Sequence, residues 1–297
     1  MQALNKDWQE WIRDSFARGC AKDDMLKVML KAGIPEITAA YNLVTFSAAQ
    51  TAGSVRQAPA AQAQTQTIAH ASTSNSDYKQ EASYLFQHEN HIVTSDGQHI
   101  QVAMRVDAPD VVLLDHFMTD AECDELCELS KGTLTKSTVV DDATGNSVDH
   151  DQRISQGTYF TIGQNALVKR IETRISEVTN TPVVNGEGLQ ILNYVGGGEY
   201  RPHFDYFPDN EGGRVHKARG GQRIITVIMY LNNVTAGGAT ILPKINLSVY
   251  PKKGSALYFS YFNSLGQVDP ITLHGGAPVI EGEKWIATKW IREREYK

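Results

Sequence analysis

The chain has little cysteine: three residues among 297, namely Cys20, Cys123 and Cys127. Their number is odd and their spacing matches no common zinc-binding pattern, which argues against a disulfide framework or a structural zinc site. They are predicted to be small buried side chains in a reducing compartment. The N-terminal segment MQALNKDWQEWIRDSF carries charges where a secretory signal needs an apolar stretch, so a cytoplasmic protein is expected.

Long apolar runs and an excess of basic residues are also missing. No run approaches the roughly 20 apolar residues of a transmembrane helix, so no membrane partner is expected. The formal net charge of −6 argues against a nucleic-acid partner, because binding to phosphates depends on a basic surface. A hydrophobic fraction of 41% and a charged fraction of 21% are typical of a soluble globular protein.

Three segments of different character follow one another along the chain. Residues 1–46 repeat apolar side chains at helical spacing, as in Trp8 and Ile12, and predict a small three-helix module through which the protein could form a homodimer. Residues 47–82 are rich in Ala, Gln, Ser and Thr and predict a flexible linker, because they cannot bury enough apolar surface to offset the entropy lost on ordering. Residues 83–297 are predicted to form the main domain.

The main domain is predicted to combine two helices with many short strands. HIVTSDGQHIQVAMRV predicts two strands joined by a turn at Asp96-Gly97. Thr119 and Glu122 form a capping-box pattern that starts one helix. NALVKRIETRISEVTN (165–180) predicts another, with its Arg and Lys residues on a solvated face. The remaining strands, punctuated by Gly and Pro, predict a sandwich or barrel-like β core and an α+β fold.

The segment YRPHFDYF holds candidate metal ligands. His203 and Asp205 stand two positions apart on a predicted strand, so both side chains project from one face and can bind the same ion. His274, at a strand end followed by two glycines, is the preferred third ligand, and His216 in the polar loop 206–223 is its rival. Two histidines and one carboxylate leave metal positions open, as in non-haem Fe(II) oxygenases and in some zinc hydrolases.

The segment GEKWIATKWIRE predicts an interior strand with two lysines on opposite faces. Both faces are largely apolar, so Lys284 or Lys289 should point into the protein. A buried ammonium is costly without an anionic partner, which a dicarboxylic cosubstrate would supply. The alternative is a lysine that extends to the edge of the sheet.

These motifs together resemble the prolyl 4-hydroxylase branch of the 2-oxoglutarate- and Fe(II)-dependent dioxygenases. The resemblance spans roughly residues 110–293 and is carried by RISQGTYF, YRPHFDYF, GGATILP, PKKGSALYF and LHGGAPVIEGEKWIATKWI, in family order. It implies a distorted double-stranded β-helix, or jelly-roll, with supporting helices. The N-terminal module and the linker lie outside it.

The resemblance implies roles for individual residues. His203, Asp205 and His274 match the iron ligands, and Lys284 matches the lysine that binds the distal carboxylate of 2-oxoglutarate. The residues that match positions lining the cosubstrate pocket are Tyr194, Thr240 and Trp290. Those that match positions contacting a peptide substrate are Tyr200, Arg223 and Arg153.

The expected activity follows from the same resemblance. The protein is expected to use Fe(II), 2-oxoglutarate and O₂, with ascorbate as a candidate reductant, to hydroxylate a prolyl residue of a peptide or protein while 2-oxoglutarate is converted to succinate and CO₂. Two alternatives stay open: hydroxylation of a free amino acid or another small molecule, and a non-catalytic binding protein on the same fold. Lys284 disfavours a nucleic-acid demethylase, and Asp205 disfavours a halogenase.

Overall fold

The computed structural model describes residues 8, 12–13, 15, 22–31, 78–81, 84–87, 90–136, 139–140, 147–148 and 154–297. The chain divides into two units, Met1–Ser72 and Thr73–Lys297. The first unit contains helix α1, Lys22–Lys31, on which Met25 and Met29 are buried. The third helix expected in residues 1–46, most of the expected linker 47–82 and the candidate substrate residue Arg153 lie outside the described residues.

Short strands make up most of the second unit. In chain order they are β1 (His91–Val93), β2 (His99–Val106), β3 (Asp110–Asp115), β4 (Thr135–Lys136), β5 (Val139–Val140), β6 (Ser147–Val148), β7 (Gln156–Phe160), β8 (Leu189–Tyr194), β9 (Tyr200–His203), β10 (Arg223–Tyr230), β11 (Ala236–Gly237), β12 (Thr240–Leu242), β13 (Leu247–Val249), β14 (Ala256–Ser260), β15 (His274–Gly276), β16 (Val279–Glu281) and β17 (Lys284–Arg292).

Two sheets built from these strands create the site. Nine strands form an antiparallel sheet in the order β1-β2-β3-β14-β10-β17-β8-β7-β4. Four strands form a smaller antiparallel sheet in the order β13-β12-β15-β9. Strand β17 lies inside the large sheet between β10 and β8 and is buried along its whole length, so its sequence is apolar because both of its faces are covered.

Three described helices of the second unit are α2 (Asp120–Lys131), α3 (Ala166–Thr179) and α4 (Glu211–Ala218). The predicted capping box is confirmed: the Thr119 side chain accepts from the Glu122 amide, and the Glu122 carboxylate accepts from the Thr119 amide. The predicted second helix is α3, which is capped by Asn165 and ends at Asn180. None of the described helices has the length and apolar character needed to cross a membrane.

One face of the large sheet packs against α2 and α3. Leu126 of α2 and Ile171 of α3 belong to the same buried cluster as Ile191 of β8 and Ala287 of β17. Because side chains alternate along a strand, the neighbours of Ile191 and Ala287 project from the opposite face. The helices therefore cover one face of the sheet, and a different part of the chain must cover the other.

The smaller sheet covers that other face. Leu192 of β8 and Ile286 of β17 form a second buried cluster with Leu242 of β12 and Val249 of β13. The two sheets thus face each other across an apolar interior, as in sandwich-like β folds. The candidate site lies between these two sheets.

One sequence expectation about α3 is wrong. Arg174 is 2% exposed instead of solvated, and its guanidinium donates to Glu122 of α2 at 2.8 Å and to Asp96 of the β1–β2 turn at 3.1 Å. Burial alone would raise the pKa of Glu122, but the bonds from Arg174 outweigh it and lower that pKa to about 2. This buried network joins the hairpin, α2 and α3.

Candidate metal centre and cosubstrate cavity

The structure brings His203, Asp205 and His274 together, and their ligand atoms all lie within 4.8 Å of one another. His203 ends β9 and His274 begins β15, and these two residues are directly paired across the neighbouring strands. The Nε2 atoms of His203 and His274 lie 3.6 and 3.3 Å from the Asp205 carboxylate. Two imidazole nitrogens and one carboxylate oxygen thus converge on one point.

The two imidazoles are oriented by the backbone. Nδ1 of His203 lies 2.9 Å from the carbonyl oxygen of Arg201, and Nδ1 of His274 lies 3.0 Å from that of Thr272. A carbonyl can only accept, so each Nδ1 carries a proton and each Nε2 is the nitrogen that faces Asp205 and would bind a metal ion. Metal-binding histidines are commonly held in this way.

The Asp205 carboxylate is also held from behind. Thr226 of β10 donates its hydroxyl to Asp205 Oδ2 at 2.7 Å, and the Thr226 oxygen lies 3.0 Å from the hydroxyl of Tyr261. Burial disfavours the ionised form of Asp205, but His274 and His203 outweigh burial and hold the pKa of this carboxyl well below its ordinary value. The group is therefore a carboxylate, the form that binds metal.

Gly275 allows the two histidine strands to approach. A Cβ atom at this position would lie 2.8 Å from the carbonyl oxygen of Tyr200 and 3.0 Å from the backbone nitrogen of Pro202. Both atoms belong to β9, so they cannot move without shifting the strand that carries His203. The glycine after His274 is thus a requirement of close strand packing, not only of chain reversal.

A cavity extends from these three residues across the inner face of the large sheet. Lys284 of β17 is 3% exposed, and its ammonium lies 5.7 and 5.9 Å from the ring centroids of Tyr194 and Tyr230. No ion pair joins it to a carboxylate in the part of the chain that the structure describes, and burial lowers its pKa to about 8. The cavity therefore holds a cation ready for an anionic ligand.

Other predicted site residues line the same cavity. They are Tyr194, Thr240, Trp290 and Tyr200. Thr240 accepts a hydrogen bond from the Tyr230 hydroxyl at 2.8 Å. The Tyr200 ring stacks on His203 with a centroid separation of 3.6 Å. Tyr194 pairs directly with Lys284 across β8 and β17, and Trp290 shares the face of Lys284 on β17, whereas Thr240 and Tyr200 approach from the smaller sheet.

Arg223 takes a different position. It is not among the described residues that line the cavity. Its guanidinium binds both oxygens of Glu187 at 2.6 and 2.8 Å and lies 3.9 Å from the centroid of the Trp290 ring. Arg223 therefore supports the wall that Trp290 presents to the cavity.

The second lysine of β17 is buried as well. Lys289 points to the opposite face, where its ammonium lies 2.6 Å from the Glu172 carboxylate of α3, and both side chains are almost fully enclosed. The expectation that one of the two lysines points inward is thus too narrow, because both do. Only Lys284 reaches the cavity.

The segment 206–223 contains helix α4 in place of a plain loop. Its His216 ring stacks on Phe207 at a centroid separation of 5.0 Å, and its carbonyl accepts from Arg292. The group of convergent ligand atoms consists of His203, Asp205 and His274 without His216. Of the two candidate third ligands, the structure favours His274.

Sequence reasoning missed several residues of the site. Gln190, Ile228 and Thr288 also line the cavity, and Thr226 and Glu187 support it. Alternation along β17 already groups Thr288 with Lys284 and Trp290, and alternation along β8 groups Gln190 with Tyr194. The contribution of Thr226 depends on the pairing of distant strands, for which the sequence offers no local signal.

Known proteins share this combination of motifs. A model described as the 2OG-Fe(II) oxygenase superfamily matches residues 189–292. Prolyl 4-hydroxylase 5 of Arabidopsis thaliana is 43% identical over 208 residues, which are 64% of this chain and 70% of that protein. The chain belongs to the prolyl 4-hydroxylase-like 2-oxoglutarate/Fe(II) oxygenases.

Two further comparisons agree with this membership. Probable prolyl 4-hydroxylase 10 of Arabidopsis thaliana is 45% identical to this oxygenase over 201 residues, 61% of this chain and 68% of that protein. The viral collagen prolyl hydroxylase vCPH of Paramecium Bursaria Chlorella virus-1, solved as a 2OG complex, is 28% identical with a TM-score of 0.50 and covers 61% of this chain and 95% of its own. The oxygenase is an oxidoreductase of a family that requires Fe(II), 2-oxoglutarate and O₂.

The residues present in the oxygenase fit these cofactors. His203, Asp205 and His274 offer the two nitrogens and one oxygen of a facial triad. Lys284 offers a buried ammonium in the same cavity, at the place where a dicarboxylate would need a counter-charge. Both features are observed directly in the geometry of the site.

Proposed function

We propose that this oxygenase hydroxylates a C–H bond of a prolyl residue in a peptide or protein and converts 2-oxoglutarate to succinate and CO₂. The observation that carries the proposal is the cavity that joins the His203, Asp205 and His274 cluster to Lys284 in a chain 43% identical to a prolyl 4-hydroxylase. The three convergent ligands suit a redox metal, and the buried lysine suits a dicarboxylate.

Each residue has a defined task in this proposal. His203, Asp205 and His274 hold Fe(II), and Lys284 binds the distal carboxylate of 2-oxoglutarate while Tyr194 and Thr240 bound its pocket. When bound, Fe(II), 2-oxoglutarate and O₂ supply the oxidising chemistry of the reaction. The protein contributes position and exclusion of water, because the sheets enclose the cosubstrate and leave Trp290 and Tyr200 to receive the prolyl ring.

The test is product analysis with matched variants. The wild-type protein is incubated with Fe(II), 2-oxoglutarate, ascorbate and a panel of proline-containing peptides. Mass spectrometry should then detect the gain of one oxygen atom on proline, together with succinate. His203→Ala and Asp205→Ala should abolish both products, whereas His216→Ala, outside the ligand cluster, should retain them. Full activity in the first two variants would remove the ligand assignment.

The same assay separates the alternatives. Succinate formation stimulated by a free amino acid, without any modified peptide, would favour a small-molecule hydroxylase. Binding of 2-oxoglutarate with no succinate under any condition would favour a non-catalytic binding protein. The intact triad and Lys284 favour catalysis over a non-catalytic binding protein, and the prolyl 4-hydroxylase relatives favour a prolyl substrate over a free amino acid.

The proposal also includes architectural and cellular expectations. The two facing sheets support a double-stranded β-helix, and the prediction of an N-terminal three-helix module that could form homodimers is retained. We further propose ascorbate as reductant, a cytoplasmic location, and no nucleic-acid or membrane partner. The free Cys123 and Cys127 and the net charge of −6 support these last expectations.

A further inference from the structure

Strand β7 carries a large aromatic side chain on the surface beside the cavity. Tyr159 is 60% exposed, although both of its neighbours along the strand are more enclosed and Phe160 belongs to the buried cluster on the helix side of the sheet. By alternation, Tyr159 projects from the opposite face, the one on which the cavity opens. An exposed tyrosine at this place therefore calls for a functional explanation.

The register of the large sheet connects Tyr159 to the cavity. Tyr159 pairs directly with Gln190 of β8, and Gln190 pairs directly with Thr288 of β17. Directly paired residues project from the same face, so these three form one row across the sheet. Gln190 and Thr288 line the cavity, and Tyr159 is the next member of the row outside it.

A hydrogen bond joins Tyr159 to the cavity-lining part of this row. The side-chain amide of Gln190, 2% exposed, donates to the hydroxyl oxygen of Tyr159. The phenol is thus anchored by its polar end to a residue of the cavity wall, while most of its ring stays in contact with solvent. Aromatic rings that combine a fixed polar end with an exposed apolar face are common contact residues, because few torsions are lost when a partner binds.

We propose that Tyr159 is a substrate-contact residue that holds the peptide beside the prolyl residue at the iron centre. Strand β7 lies two strands away from β17, about 10 Å at about 4.8 Å per strand. An extended peptide advances about 3.1 Å per residue, so about three residues of peptide span the distance from Thr288 on the cavity wall to Tyr159. The ring face suits an apolar or prolyl side chain at that position. This inference rests on the proposed prolyl hydroxylation.

The test compares two peptides and three variants. The long peptide extends about five residues to each side of the target proline, and the short one retains a single residue on each side. Tyr159→Ala should lower kcat/KM for the long peptide about tenfold and leave the value for the short peptide unchanged. Tyr159→Phe, which keeps the ring and removes the bond to Gln190, should retain most of the activity on the long peptide.

Two controls make the result decisive. Tyr250→Ala removes a tyrosine of similar exposure, 70%, that is not among the cavity-lining residues, and it should change neither value. Turnover of 2-oxoglutarate without peptide verifies that each variant is folded and loaded. An equal loss on both peptides, or no loss on either, would overturn the inference.

The outcome also distinguishes the inference from the proposed function. If the wild-type oxygenase consumes 2-oxoglutarate but modifies no prolyl peptide, the proposed function fails and the role of Tyr159 fails with it. If the wild-type enzyme modifies both peptides and Tyr159→Ala behaves like wild type, only the role of Tyr159 fails. If Tyr159→Ala lowers kcat/KM for the long peptide alone, trimming that peptide from either end locates the contacting residue on one side of the proline.

Discussion

Asp205 is held in its metal-binding geometry by Thr226, which donates a hydrogen bond to it from β10 of the large sheet. The bond occupies one carboxylate oxygen, Oδ2, and limits rotation of the group between His203 and His274. Supporting bonds of this kind commonly contribute a factor of 10–100 to metal affinity or activity. Thr226 is thus one of the residues that determine the metal affinity of the centre.

We predict that Thr226→Val weakens Fe(II) binding about tenfold, because the isosteric side chain removes only the hydroxyl. Metal affinity is measured by anaerobic titration, with thermal unfolding as a check of the fold. Thr173→Val on the exposed side of α3 is the matched control and should bind iron as the wild type does. Equal affinity in Thr226→Val and wild type would contradict a role for this bond.

Lys284 should make 2-oxoglutarate binding dependent on pH. Burial lowers its pKa to about 8, so the ammonium of the free enzyme loses its proton as the pH rises through that value. A carboxylate pairs only with the protonated form of Lys284. The affinity for 2-oxoglutarate is therefore highest below pH 8 and falls by about tenfold per pH unit above it. The KM for 2-oxoglutarate between about pH 7 and about pH 10 measures this effect.

Two variants test whether Lys284 is the group responsible. Lys284→Arg retains its charge throughout this range, so the dependence on pH should disappear. Lys284→Ala should raise the KM for 2-oxoglutarate at every pH. A wild-type KM that stays constant across the range would exclude Lys284 as the group that binds the distal carboxylate.

At the scale of elements, the approach of β9 and β15 positions both histidines. We predict that Gly275→Ala lowers iron affinity at least tenfold, because its Cβ would lie 2.8 Å from a backbone atom of β9 and separate His203 from His274. The same substitution at Gly276 meets nothing closer than 3.7 Å and should retain iron binding. Anaerobic metal titration of the two variants measures the difference, and equal loss in both would contradict the explanation.

Much of this element structure can be predicted from local sequence. The capping box of Thr119 and Glu122 and the alternation that groups Lys284 with Trp290 both depend on neighbours a few residues apart. Long-range pairing cannot be predicted in that way. Arg174 has the sequence context of a solvated helix face, and only the placement of Asp96 and Glu122 beside it makes burial favourable.

At the scale of the whole molecule, the second unit contains a complete core. Among the residues that the structure describes, the members of the two buried clusters lie between Leu85 and Ile291. Residues 78–81 belong to this unit and pack within it, since the Asn263 side chain donates to the carbonyl of Lys79 at 3.0 Å. The boundary after Ser72 therefore leaves these contacts intact.

We predict that a protein beginning at Thr73 retains 2-oxoglutarate turnover within about twofold and its unfolding temperature within a few degrees. The reason is that neither cluster loses a member among the described residues. Succinate formation and thermal unfolding measure the result against the full chain. An insoluble product, or loss of turnover without peptide, would mean that the first unit completes the catalytic fold.

The two buried lysines of β17 have a consequence for how the chain finds its native pairing. Displacing β17 by one residue against β8 and β10 would exchange its two faces. Glu172 would then lose its cation and Lys289 would enter the apolar interior between the sheets, at a cost of about 3–5 kcal/mol for a stranded buried charge. That cost is a large share of the about 5–15 kcal/mol that stabilises a typical domain. The buried lysines of β17, which serve ligand binding and packing, thus also disfavour a misaligned pairing of this strand.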